Sequence, residues 1–75
     1  MDLIKEYITI DPEIRFGKPC IKNTRIAVED ILNWLASGMS FEEISEDFPS
    51  IRKQHILAVL KFASQREMVL RLLTQ

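Results

Sequence analysis

Within the run Ser50-Ile51-Arg52-Lys53-Gln54-His55 a hydroxyl, two cations, a carboxamide and an imidazole stand close together. These are groups that read nucleic acid. Arg bridges guanine O6 and N7, Gln bridges adenine N6 and N7, and Lys neutralises phosphate. A helix opening at this run adds its free N-terminal amides as a further anion-binding surface, and Lys61 falls two turns further along it. Ser50, Arg52, Lys53, Gln54, His55 and Lys61 are therefore the candidate DNA-binding residues. Any exposed amphipathic helix can carry such residue types, so the rest of the chain has to supply the context.

Catalysis has less to work with. Cys20 is the sole cysteine and His55 the sole histidine, and neither stands by motif in a nucleophile–base constellation. One cysteine and one histidine cannot build a disulfide framework or a Cys/His zinc site within one chain. Gly17-Lys18 lacks the earlier glycine and the following Ser or Thr of a phosphate loop. Glu42 with Glu46 and Glu43 with Asp47 are i, i+4 carboxylate pairs of the kind that can hold a divalent cation. Dedicated sites draw ligands from several elements, so a solvated acidic face or one complementary to a basic partner is the expectation. No catalytic residue, metal or cofactor is expected. Cys20, beside Pro19, reads as a small packed apolar residue.

The elements that would position these groups can be read from periodicity. Glu6 to Ile10, rich in β-branched and aromatic residues, predicts a short strand ended by Asp11-Pro12. Cys20-Ile21 and Arg25-Ile26-Ala27 are extended pieces around the turn Lys22-Asn23-Thr24, where Asn23 suits a positive φ. Together they predict a β-hairpin. Val28, Ile31, Leu32 and Leu35 then recur at helical spacing, stopped by Ser37-Gly38. Trp34 lies off that stripe and either widens the core face or marks a contact surface. Ser40-Phe41-Glu42-Glu43 is a capping-box sequence opening a second helix over Phe41, Ile44 and Phe48, which stops before Pro49. A third predicted helix begins over Ser50 to Gln54, with Ile56, Val59, Leu60 and Ala63 as its apolar stripe. Two helices joined by a tight turn, the second opening with basic residues, match the helix-turn-helix plan.

Charge follows this division. The net charge of −1 resolves into +1 over residues 1–25, −6 over 26–49, where there is no Lys or Arg, and +4 over 50–75. An average that disfavours nucleic acid thus conceals an acidic middle and a basic last helix.

At 75 residues the chain is read as one domain. Its expected parts are an arm over 1–27, a three-helix core over 28–63 and a helical extension over 64–75. A chain of this size buries roughly 60–65% of its unfolded surface, so oligomerisation is expected to assist its core. A last helix from Ile51 to Leu73 would be roughly 34 Å long and would carry Met68, Val69, Leu72 and Leu73 beyond the core. Those four residues are expected to meet a partner or second protomer, unless the helix bends back near Ser64-Gln65. The acidic opening Met1-Asp2-Leu3-Ile4-Lys5-Glu6 does not fit a secretory signal. No stretch is long and apolar enough to span a bilayer, and a lone thiol fits a reducing compartment. The expectation is a cytoplasmic protein without a membrane partner.

Ile10-Asp11-Pro12, Gly17-Lys18-Pro19, Ile21, Thr24-Arg25-Ile26 and Val28 together resemble the signature of the bacterial and archaeal family known as domain of unknown function 433. The resemblance continues through Gly38-Met39-Ser40, Glu43-Ile44 and Phe48-Pro49 to Ile56, Ala58 and Leu60, covering roughly residues 8–63. It implies a mainly α fold: a short N-terminal β-hairpin followed by a three-helix helix-turn-helix domain, winged-helix or homeodomain-like. Asp11, Gly17, Pro19, Asn23, Thr24 and Arg25 are its structural motif. It also implies an antitoxin-like, VapB-type protein of a type II toxin–antitoxin pair, with a PIN-like nuclease as its toxin. Together with the basic start of the last helix and its apolar tail, the expectation is a homodimer that binds operator DNA. The alternative is a protein-binding adaptor or dimerisation module without DNA binding. Two departures stand out: Asn23 replaces the family's usual glycine, and Arg52 to His55 stand where acidic residues often open the last helix, which removes a usual N-cap.

Overall fold

The computed structural model describes the backbone of residues 2–73 and the side chains of residues 2–65. The chain begins with a one-turn helix, α1 (Leu3–Tyr7). The Asp2 carboxylate caps it, accepting from the amides of Ile4 at 3.0 Å and Lys5 at 3.4 Å. Leu3, Ile4 and Tyr7 then face inward, packed against the core. The strand expected over Glu6–Ile10 is accordingly reduced to β1 (Ile8–Thr9). Tertiary packing on the last helix overrides the β propensity of Tyr7 and its neighbours.

β1 pairs antiparallel with β2 (Cys20–Ile21), Ile8 opposite Ile21 and Thr9 opposite Cys20. The two-stranded sheet is therefore closed by the long connection Ile10–Pro19, which contains a 3-10 turn at Arg15–Gly17. The expected tight hairpin contributes a turn and one isolated bridge, Cys20 to Ala27. In that turn the Thr24 hydroxyl donates to the Ile21 carbonyl at 2.9 Å and accepts from the Ile26 amide at 3.0 Å. Asn23 takes φ 63°, as its small polar side chain permits.

Three further helices follow: α2 (Val28–Ala36), α3 (Phe41–Asp47) and α4 (Lys53–Leu73). The amides of Gly38 and Met39 donate back to the carbonyls of Leu35 and Trp34, closing α2 in a Schellman motif with Gly38 at φ 101°. The Ser40 capping box forms, Ser40 Oγ accepting from the Glu43 amide at 3.1 Å and Glu43 Oε1 from the Ser40 amide at 3.0 Å.

Four helices stand where three were expected, and α4 opens at Lys53 rather than Ser50. Ile51 is the reason for the later start. It is fully buried in the turn, its amide donating to the Phe48 carbonyl at 2.8 Å. The core is built from Ile8, Ile21, Val28, Ile31, Ile44, Ile51, Ile56, Ala58 and Val59, with buried Cys20 beside the sheet. α4 runs unbroken through Ser64 and Gln65 and spans about 31 Å at about 1.5 Å per residue. That exceeds the molecule's two shorter dimensions, 29 and 26 Å.

Candidate functional site

The α3–turn–α4 unit presents the candidate contact face. Ile44, Ile51 and Ile56 hold it from beneath, and Trp34 of α2 stacks on Phe48 at its end, ring centroids 4.4 Å apart and 8° from parallel. Trp34 thus belongs to the packed face of α2. Ser50 lies in the turn; Arg52, Lys53, Gln54 and Lys61 are all exposed. Lys53, Leu57 and Lys61 recur at i, i+4 and i+8 on one stripe of α4, which places the two lysines about 12 Å apart along the axis. Leu57 and Leu60 interrupt the polar surface at 42% and 40% exposure. From Ser50 to Gln65 there is no acidic residue.

His55 is turned away from this group. It is half-buried, and its ring meets Tyr7 of α1 edge-on at 4.9 Å between centroids. Its Nδ1 accepts from the Arg52 amide at 2.9 Å. This is the backward arm of a capping box, made by an imidazole in the place of the usual Glu or Gln. It ties down the helix start that Arg52, with no side-chain acceptor, cannot cap. Partial burial, the dominant cause, holds the imidazole's pKa below its usual 6.5; the Arg52 backbone bond opposes this and the Arg52 charge adds to it.

Beside the basic stripe, α3 turns Glu42, Glu43, Glu46 and Asp47 to solvent. Between the two helices lies an open depression of about 310 Å³ lined by Phe41, Glu42, Ser45 and Lys53. Glu43 is held below its ordinary pKa by the Ser40 amide and then by the Ser40 hydroxyl. Among the described residues no three His, Cys, Asp or Glu side chains are grouped closely enough to hold a metal ion.

The family-signature residues converge on a second place, the connection before β2. Asp11 Oδ1 accepts from the Glu13 amide at 2.9 Å, and Gly17 sits at φ 83°. The Pro19 carbonyl accepts from Val28 at 2.9 Å. Arg15 fastens the loop to its neighbours: one guanidinium nitrogen donates to the Arg25 carbonyl at 2.8 Å and to Asp30 Oδ2 at 3.0 Å. The same Asp30 oxygen accepts from the Ala27 amide at 2.9 Å, so it also starts α2. Partial burial opposes ionisation of Asp30, but the Ala27 amide, Arg15 and Lys18 outweigh it and lower the carboxyl's pKa. Asp30, through its hydrogen bond and then its charge, raises that of Arg15. Lys18 pairs with Glu29 alongside. Sequence reasoning identified the turn residues but not these ion pairs, because Arg15 and Asp30 meet only after folding. The expected partner residues Met68, Val69, Leu72 and Leu73 lie outside the residues whose side chains are described.

The architecture is a small, mainly helical domain with a two-stranded antiparallel sheet. Residues 8–63 match the model of a protein family of unknown function, DUF433, and the chain belongs to that family. The crystal structure of a DUF433 member protein from Anabaena variabilis superimposes with a TM-score of 0.78 and 24% identity, over 97% of this chain and 73% of that one. At that identity the likeness carries the fold. An uncharacterised protein of Sinorhizobium fredii, y4eO, is 35% identical over 52 residues, which take in 69% of this chain and 24% of that protein. The chain thus spans about a quarter of that relative's length. No helix among the described residues is long and apolar enough to cross a membrane.

Proposed function

We propose that this chain is a DNA-binding module of the antitoxin type, which contacts operator DNA through a helix-turn-helix formed by α3 and α4. One observation carries the reading: Arg52, Lys53, Gln54 and Lys61 are all exposed at and beyond the start of α4, in a stretch from Ser50 to Gln65 that holds no acidic residue. In such a unit the second helix enters the major groove with its first turns. Arg52 and Gln54 are the base-reading residues of this proposal, and Lys53 and Lys61 the phosphate contacts. Ser50, in the preceding turn, is a further hydroxyl for phosphate. His55 acts through the helix start. A PIN-like nuclease is the proposed protein partner, and a two-fold dimer would set half-sites about 34 Å apart or a multiple of that.

Fluorescence anisotropy with the duplex upstream of the chain's own gene tests this. Arg52→Ala is expected to weaken binding by about 1–3 kcal/mol if Arg52 reads a guanine. Affinity unchanged by Arg52→Ala removes Arg52 from the groove. Leu57 and Leu60, exposed on the same face, favour the second reading, a protein-binding adaptor. It predicts a partner complex and no salt-dependent affinity for DNA.

A further inference from the structure

We propose that the Phe16 loop is a self-docking element: Phe16 of one copy seats in the depression between α3 and the start of α4 of a second copy. Phe16 is 100% exposed, and Ile10, on the same connection, follows at 61%. Arg15, Phe16 and Gly17 have φ of 52°, 59° and 83°. Three successive residues therefore lie in the left-handed region, a conformation unfavourable for the two that carry a Cβ.

The surrounding bonds hold it there. Ile14 donates to the Asp11 carbonyl at 2.9 Å, Gly17 to that of Ile14 at 3.1 Å and Lys18 to that of Arg15 at 3.2 Å. Arg15 and Lys18 fasten the two ends to Asp30 and Glu29 of α2. A strained backbone pinned on both sides, with a phenyl ring at its tip in water, is a preorganised aromatic anchor. Its ordering cost is met before binding.

The receiving surface is on the same chain. The depression lined by Phe41, Glu42, Ser45 and Lys53 offers about 310 Å³, whereas an aromatic ring fits a cavity of roughly 150 Å³. Phe41 supplies an aromatic neighbour, and the polar rim supplies the sign. Glu42 lines it opposite Lys53, and Glu43, Glu46 and Asp47 are exposed on the same helix, so the acids outnumber the one lysine. Residues 15–25 carry Arg15, Lys18, Lys22 and Arg25 with no acid. Arg15 and Lys18 are engaged with α2, so the exposed Lys22 and Arg25 are the cations that meet the α3 carboxylates. Anchor, depression and opposite charges on one chain point to a second copy as occupant. Two such contacts related by a two-fold axis close a dimer.

The assignment stands apart from the DNA reading, although Lys53 belongs to both surfaces and a docked loop would cover it. Light scattering and sedimentation of the full chain, from micromolar to millimolar concentration, test it with Phe16→Ser and Glu42→Lys. The unsubstituted chain is expected to exceed its monomer mass of 8.8 kDa and to dissociate with added salt. Each variant should weaken association about tenfold or more. An equal mixture should recover part of it, because one variant keeps the depression and the other the anchor. Phe16→Ser should melt like the unsubstituted chain and bind DNA at least as well. A monomer at millimolar concentration, an unchanged mass for Phe16→Ser, or a mixture no larger than its components overturns the proposal.

Discussion

The imidazole of His55 holds the first turn of α4 through Nδ1, and that bond exists only while Nδ1 keeps its lone pair. With the folded pKa below 6.5, the unfolded chain takes up the proton first as pH falls. The stabilisation is thus fully present above 6.5 and is lost as pH drops through the folded value. Thermal melting at pH 7.5 and 5.5 is expected to show this loss, and His55→Gln to lack it, since Gln makes the same backward cap without titrating. Equal pH dependence in both proteins would show that the His55 bond contributes nothing. None of this was legible locally. The Arg52 amide is only three residues away, but an imidazole is not the usual capping side chain, and Tyr7, which half-buries the ring, comes from the other end of the domain. The left-handed turn at Arg15 and Phe16 was equally silent, because Gly17 is the one residue there whose type announces a positive φ.

At the scale of elements, α2 and α3 were readable because their apolar spacing agrees with their end signals. Gly38 closes α2 as its position suggests, and Ser40 with Glu43 opens α3. Ser40→Ala should therefore cost about 1 kcal/mol in urea unfolding; no change would mean that packing alone starts this helix. α1 escaped because its five residues include Ile4 and Tyr7, which favour strands when taken in isolation. Its one local sign is Asp2 in the capping position. The start of α4 was displaced for a related reason. Pro49 and Ser50 resemble a helix opening, yet Ile51 fills the core from the turn closed on the Phe48 carbonyl, and the helix begins only after it. Of the six residues expected at the interface, Ser50, Arg52, Lys53, Gln54 and Lys61 are each exposed, with Lys53 and Lys61 on one stripe of α4, and His55 is turned inward.

Over the whole molecule, charge is sorted by surface. The acids between residues 26 and 49 occupy the outer face of α3 and the start of α2, while Arg52 stands just before α4 and the cations after it lie on α4. A net charge of −1 therefore coexists with a local basic stripe. Such a stripe matters for DNA at distances comparable to the Debye length, about 8–10 Å at ordinary ionic strength. Cations also flank the Phe16 loop, and at the α3 depression Glu42 and Lys53 bring the acidic and basic surfaces together. DNA affinity as a function of salt, measured by anisotropy for the unsubstituted chain and for Lys53→Ala and Lys61→Ala, decides whether α4 lies against phosphate. Binding is expected to fall steeply with added salt, and its logarithmic slope to decrease by about one for each lysine removed. A salt-independent affinity, or slopes unchanged by both substitutions, would mean that α4 makes no phosphate contact.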